Sequence, residues 1–170
     1  DAARLRRDSA PAKVPGQTIV GLFPGSRAYM VTHFLPFLAA AAETLSARRG
    51  DLRFVMAKSD FIDWDALSIP LVPTEGRDWQ ASAVRLERDG DGARLRTEQG
   101  TVIDVLTNAE VLAQADVAVS LPGTNTGEMG ASGLPPVVII PMHMASRHAR
   151  QTPLPGLPGH VGRIPLVGVP

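Results

Sequence analysis

The stretch Gly123-Thr124-Asn125-Thr126-Gly127-Glu128 combines residue types and spacing that fit a specific chemistry. An apolar run ending at Ser120 precedes it, and Gly133-Leu134-Pro135-Pro136 leads from it into a second apolar run ending at Ile140. The order reads as buried strand, turn of glycine and small polar residues, short helix with one acid, and second buried strand. The first amides of a helix lack partners and lie at the positive end of its dipole, so such a turn attracts an anion, and Gly123 lets backbone approach it. Thr124, Asn125 and Thr126 surround that position, and Glu128, one helical turn on, can reach the hydroxyls of a ribose. A plainer reading makes Thr124 or Thr126 an N-cap and Glu128 a first-turn acid favouring the dipole. A cap needs one hydroxyl, however, and this turn supplies three polar side chains beside a glycine.

Gly25-Ser26-Arg27 is a second turn of the same kind. Glycine admits close approach, serine offers a hydroxyl and arginine presents a fork matched to phosphate oxygens. Taken alone it is an ordinary strand-to-helix turn with a solvated arginine. In an open parallel sheet, turns at the carboxyl ends of strands share one crevice, so the two together can face one ligand. No Gly-x-x-x-x-Gly-Lys-Ser/Thr is present, which excludes P-loop chemistry, and neither turn carries the Gly-x-Gly-x-x-Gly of dinucleotide binders.

Other polar clusters read as structural. Asp60, Asp63 and Asp65, and Asp89 with Asp91, fit capping and hairpin turns better than metal ligation. His143 and His148 are off the i, i+4 spacing that aligns two ligands on a helix. Arg147, His148 and Arg150 form a small basic patch that reads as solvated, and no serine, histidine and aspartate set suggests a hydrolase.

These turns require an α/β scaffold. Thr18 to Phe23 is a buried strand meeting Pro24-Gly25, and Phe34, Leu35, Leu38, Ala41, Ala42 and Leu45 recur at helical spacing as far as Gly50, with Pro36 tolerable only near the helix start. Leu52 to Ala57 and Ile69 to Val72 read as further strands. From Ala83 to Thr97 the alternation changes around Asp89-Gly90-Asp91-Gly92, predicting an exposed, inserted β-hairpin. Val102 to Leu106, a helix over Asn108 to Gln114, and Val117 to Ser120 then resume the alternation. The predicted fold is a Rossmann-like, doubly wound parallel sheet with helices on both faces. Residues 1–16 read as a helix tail and linker from a preceding domain and 17–170 as one Rossmann-like domain. The proline- and glycine-rich stretch from Pro153 suggests a domain cut short at its carboxyl end.

The 170 residues suffice for one domain with a real core, and 44% hydrophobic content fits a soluble globular chain. Seventeen basic and seventeen acidic residues cancel, so the balance carries no footprint for nucleic acid. The absence of cysteine excludes disulfides and thiolate chemistry. No apolar run approaches the roughly 20 residues of a bilayer span, which points to the cytoplasm, with contact at the inner face of the membrane left open.

Leu22-Phe23-Pro24-Gly25-Ser26-Arg27, Leu35-Pro36 with its alanine-rich helix, Ala115-Asp116 through Gly123-x-x-Thr126-x-Glu128, and Gly133-Leu134-Pro135-Pro136-Val137-Val138 resemble lipid-A-disaccharide synthases and their relatives. A more distant likeness is to the transferase that adds N-acetylglucosamine to lipid-linked muramyl pentapeptide. The resemblance implies a glycosyltransferase of the two-Rossmann-domain (GT-B) type, with this chain its carboxyl-terminal, UDP-sugar-binding half. It implies that Gly25, Ser26, Arg27, Gly123, Thr124, Asn125 and Thr126 border the diphosphate, that Glu128 accepts from the ribose, and that backbone near Val105 and Leu106 edges the uracil. It further implies a lipid or lipid-linked acceptor, no cofactor or metal, and a catalytic base on an amino-terminal domain. Ala28-Tyr29-Met30-Val31 depart from the acid that usually follows Gly-Ser-Arg in that family, so a divergent relative fits better than the synthase itself. Two alternatives share the architecture: an enzyme like UDP-N-acetylglucosamine 2-epimerase, which needs more acids and a histidine at the sugar, and a nucleotide-sugar-binding module without catalysis.

Overall fold

In the computed structural model, residues 14–67, 81–90 and 92–140 are described. Backbone contacts divide the chain into Asp1–Val138 and Ile139–Pro170, and the architecture below belongs to the first unit. Seven strands form one sheet: β1 (Thr18–Phe23), β2 (Leu52–Lys58), β3 (Val84–Asp89), β4 (Gly92–Thr97), β5 (Val102–Thr107), β6 (Val117–Ser120) and β7 (Pro136–Val138), in the order β3-β4-β5-β2-β1-β6-β7. Strands β5, β2, β1, β6 and β7 are mutually parallel, whereas β4 runs antiparallel to both of its neighbours, β5 and β3. Counted by appearance in the chain, the parallel strands run third, second, first, fourth, fifth, which is the Rossmann order. The α/β, Rossmann-like expectation therefore holds.

Alternation within β1 divides the core between the two faces. Val20 and Leu22 pack with Phe54, Met56, Ile103 and Leu95 under helix α1 (Ala28–Arg48), which contributes Val31, Leu35, Leu38, Ala39 and Ala42. Ile19 and Phe23 point the other way and pack with Val55, Ala57 and Ala118 against Val111 of helix α2 (Asn108–Gln114) and Met129 of helix α3 (Thr124–Ser132). Between Ile19 and Phe23 sits Gly21, where an added Cβ would lie 2.8 Å from Val111 Cγ1 and 3.1 Å from Ala115 Cβ. The missing side chain is what lets α2 lie close on the sheet. Gly21→Ala is expected to cost about 1 to 3 kcal/mol through overpacking; urea unfolding checks it, and an unchanged midpoint would show that α2 lifts away freely.

Several expectations are corrected. The hairpin of β3 and β4 is not an exposed insertion: Leu95 pairs with Ile103 of β5, and Val84, Ala93, Leu95 and Thr97 are buried, so it extends the sheet and only its other face is solvated. Pro36 lies inside α1, not near its start. Proline lacks the N–H that would bond the Thr32 carbonyl, so one rung of the helix ladder is missing; separately, the Pro36 carbonyl accepts the Ser82 amide at 2.9 Å. The second apolar run is not a buried strand, because Val137 and Val138 of β7 are 53% and 42% exposed. Helix α1, at 21 residues, is long and apolar enough to cross a membrane by length and composition, contrary to expectation. Its buried stripe is occupied by the sheet core described above.

Side chains lock the outer strands. Arg53 on β2 donates Nε and Nη2 to Asp104 Oδ2 on β5 at 3.0 and 2.8 Å, and Arg94 on β4 donates Nε to Oδ1 at 3.1 Å. Trp64, opening the short 3-10 helix Trp64–Leu67, has Lys58 Nζ 4.7 Å and Arg88 Cζ 5.0 Å from its ring centroid, a cation–π tie between β2 and β3. The expected strand at Ile69 to Val72, the basic and histidine residues from His143 to Arg150, the stretch from Pro153 and most of the opening linker lie outside the described residues.

Candidate functional site

β1 and β6 are neighbours, with Phe23 opposite Ser120, yet the chain leaves β1 through α1 on one face of the sheet and β6 through α3 on the other. This is the point where the winding reverses, and in open α/β sheets the crevice outside the strand ends there is where ligands bind. Gly25-Ser26-Arg27 follows β1 and Gly123 to Thr126 follows β6, so the topology brings the two turns to one crevice.

Each turn is built differently. Gly25 has φ 105°, in the left-handed region, so its conformation favours glycine, and an added Cβ would lie 3.0 Å from Cε at the flexible end of Met30. Gly123 is extended, at φ 167°, and a Cβ there would meet nothing within 4 Å. Neither conformation nor contact requires a glycine at 123. What the small residue leaves is open space above the start of α3.

The helix starts contrast with one another. α2 is closed by a full capping box, with Glu110 N donating to Thr107 Oγ1 at 3.3 Å and Thr107 N donating back to Glu110 Oε2 at 2.8 Å. α1 and α3, the two helices at the crevice, have Arg27 and Gly123 as N-caps and no side-chain cap. The plainer reading of the second turn is thereby corrected: neither Thr124 nor Thr126 caps the helix, and Glu128 is the fifth residue of α3, outside its first turn. Thr126 donates both its amide, at 3.1 Å, and its hydroxyl to Gly123 O, so that hydroxyl proton is used within the turn. Thr124 is exposed and Asn125 half-buried. Across the crevice, Ser26 and Arg27 are exposed, with Arg27 Nη1 3.4 Å from the Tyr29 hydroxyl, a weak restraint.

Glu128 is exposed and has a partner that sequence reasoning missed: Asn108 Nδ2 donates to Glu128 Oε2 at 2.6 Å. Asn108 is the first residue of α2, at the carboxyl end of β5, and nothing in a linear reading links it to a residue 20 positions later. Val105 and Leu106 are not brought to the two turns. They pair with Met56 and Ala57 of β2, so that strand separates them from β1, and the Val105 side chain belongs to the core. Asp116 has a structural place: its Oδ2 accepts the Ile19 amide at 2.8 Å at the start of β1, the end of the strand away from the crevice.

Among the described residues no group of three or more histidines and acids could hold a metal ion. Clear shifts in ionisation occur away from the crevice, in two exposed pairs. The hydrogen bond from Arg49 lowers the Asp51 pKa, and that from Arg96 lowers the Glu87 pKa.

With the geometry in place, comparison with known proteins adds one relation. The chain is 30% identical over 140 residues to the lipid-A-disaccharide synthase of Geobacter sulfurreducens, a match covering 79% of this chain and 30% of the synthase. The two are distant relatives. The chain thus spans under a third of the length of the synthase it matches, and no family model and no solved structure matches it. The likeness to lipid-A-disaccharide synthases read from the sequence accordingly holds as a distant relation.

Proposed function

We propose that this chain forms the UDP-sugar-binding half of a two-domain (GT-B) glycosyltransferase that transfers an N-acetylglucosamine-type sugar to a lipid or lipid-linked acceptor. The observation that carries the reading is the pair of side-chain-uncapped helix starts facing one crevice between β1 and β6, beside α2, which closes its own start. When a glycosyl bond breaks, negative charge develops on the departing diphosphate, and preorganised donors aimed at that charge lower the barrier. The first amides of α3, the start of α1, Ser26, Arg27 and Thr124 supply such donors. Glu128 accepts from the ribose hydroxyls, and the backbone at the end of β5, near Val105 and Leu106, edges the base two strands from β1. In this reading helix dipoles and Arg27 offset the diphosphate charge without a metal. The base that activates the acceptor belongs to a partner domain, and the protein works in the cytoplasm at the inner face of the cell membrane. The relation to a lipid-A-disaccharide synthase supports the transferase class.

The test is a nucleotide titration of the chain followed by calorimetry or by NMR shifts. UDP is expected to bind weakly and in preference to NAD and ATP, with shifts at Ser26, Arg27 and residues 123–128. A preference for NAD would sink the reading.

A further inference from the structure

We infer that Asn108 is a positioning residue for the nucleotide site, holding the Glu128 carboxylate at the crevice so that one oxygen stays available to the ribose. The inference rests on the UDP-sugar reading above. A glutamate on an exposed helix face samples many rotamers, and freezing it on ligand binding costs conformational entropy. Here that freezing is done in advance. Asn108 Nδ2 donates to Glu128 Oε2 at 2.6 Å, a short hydrogen bond to a carboxylate, which leaves Oε1 as the acceptor for a ligand.

Asn108 is itself held. It is the residue after Thr107, whose amide and hydroxyl both donate to Glu110 Oε2, at 2.8 and 2.6 Å, and β5 delivers this start of α2 through the pairing of Thr107 with Lys58. The chain of restraint therefore runs from β5 through the capping box of α2 to an acid on α3. A merely structural staple between the two helices would use the same contact, so the distinction lies in what its loss does to ligand affinity.

UDP affinity and thermal midpoint are measured for wild type, Asn108→Ala, Glu128→Ala, the double variant and Asn108→Asp. Asn108→Ala is expected to weaken UDP binding about 3- to 10-fold, and Asn108→Asp more, since two carboxylates then repel. In the Glu128→Ala background, Asn108→Ala should weaken binding no further, because its effect passes through the acid. Wild-type UDP affinity in Asn108→Ala, with or without a lowered midpoint, overturns the positioning role and leaves the site reading standing. Equal losses in both backgrounds also overturn it. Failure of the wild type to bind UDP overturns the site reading and this inference with it.

Discussion

Glu43→Ala is expected to destabilise the protein by about 2 to 4 kcal/mol. Glu43 lies on the buried side of α1, 7% exposed, and its Oε1 accepts the Ser82 hydroxyl at 2.7 Å and the Gln99 amide at 3.1 Å. One carboxylate oxygen thus ties α1 to the segment entering β3 and to the turn between β4 and β5. Removing it leaves a hydroxyl on Ser82, 2% exposed, with only a 3.3 Å contact to Ala83 O, and empties the volume of the stem. Hydrogen bonds to charged groups contribute about 1.5 to 3 kcal/mol each, and an orphaned buried donor adds a desolvation cost. Glu43→Gln keeps shape and acceptor and should lose only about 1 kcal/mol. Chemical denaturation of both variants is the check; an alanine variant within about 0.5 kcal/mol of wild type, the range of a neutral surface change, would show that water replaces the carboxylate at no cost.

Glu128→Ala is expected to weaken UDP binding ten-fold or more, at least about 1.4 kcal/mol, while the fold persists. The acid is exposed, and α3 is anchored elsewhere, by Met129 in the core and by Gly133, which ends the helix at φ 73°. Its loss frees Asn108 to bond with water, so the expected change in stability is about 1 kcal/mol or less. Glu128→Gln, which keeps an oxygen but loses the charge, should fall between. Calorimetry and thermal melting on the same samples separate the roles. Unchanged affinity with a lowered midpoint would make Glu128 only the partner of Asn108, and the ribose assignment would be withdrawn.

The linear sequence was sufficient for the parallel strands around the crevice and for its two turns, because both depend on local rules. Apolar runs such as Thr18–Phe23 and Val117–Ser120, followed by glycine and small polar residues, favour strand, turn and helix whatever lies beyond them. It was silent or misleading wherever the outcome depended on a distant partner. The solvated alternation of Arg85, Glu87, Arg94 and Arg96 concealed that the opposite face of the hairpin covers the core beside β5. Pro36 was expected only near a helix start, yet it is the ninth residue of α1, where buried residues before and after it pack on the sheet. Glycine at 21 was unremarked because its reason is Val111, which arrives 90 residues later on another helix. Tertiary structure alone decided that β6 adds beside β1 on the side away from β2, which turns two separate motifs into one crevice, and that Asn108 meets Glu128. Pairing of this kind is a competition among strand edges and helix faces far apart in the chain. Its result is set by how the whole core packs, a quantity no local window of residues contains.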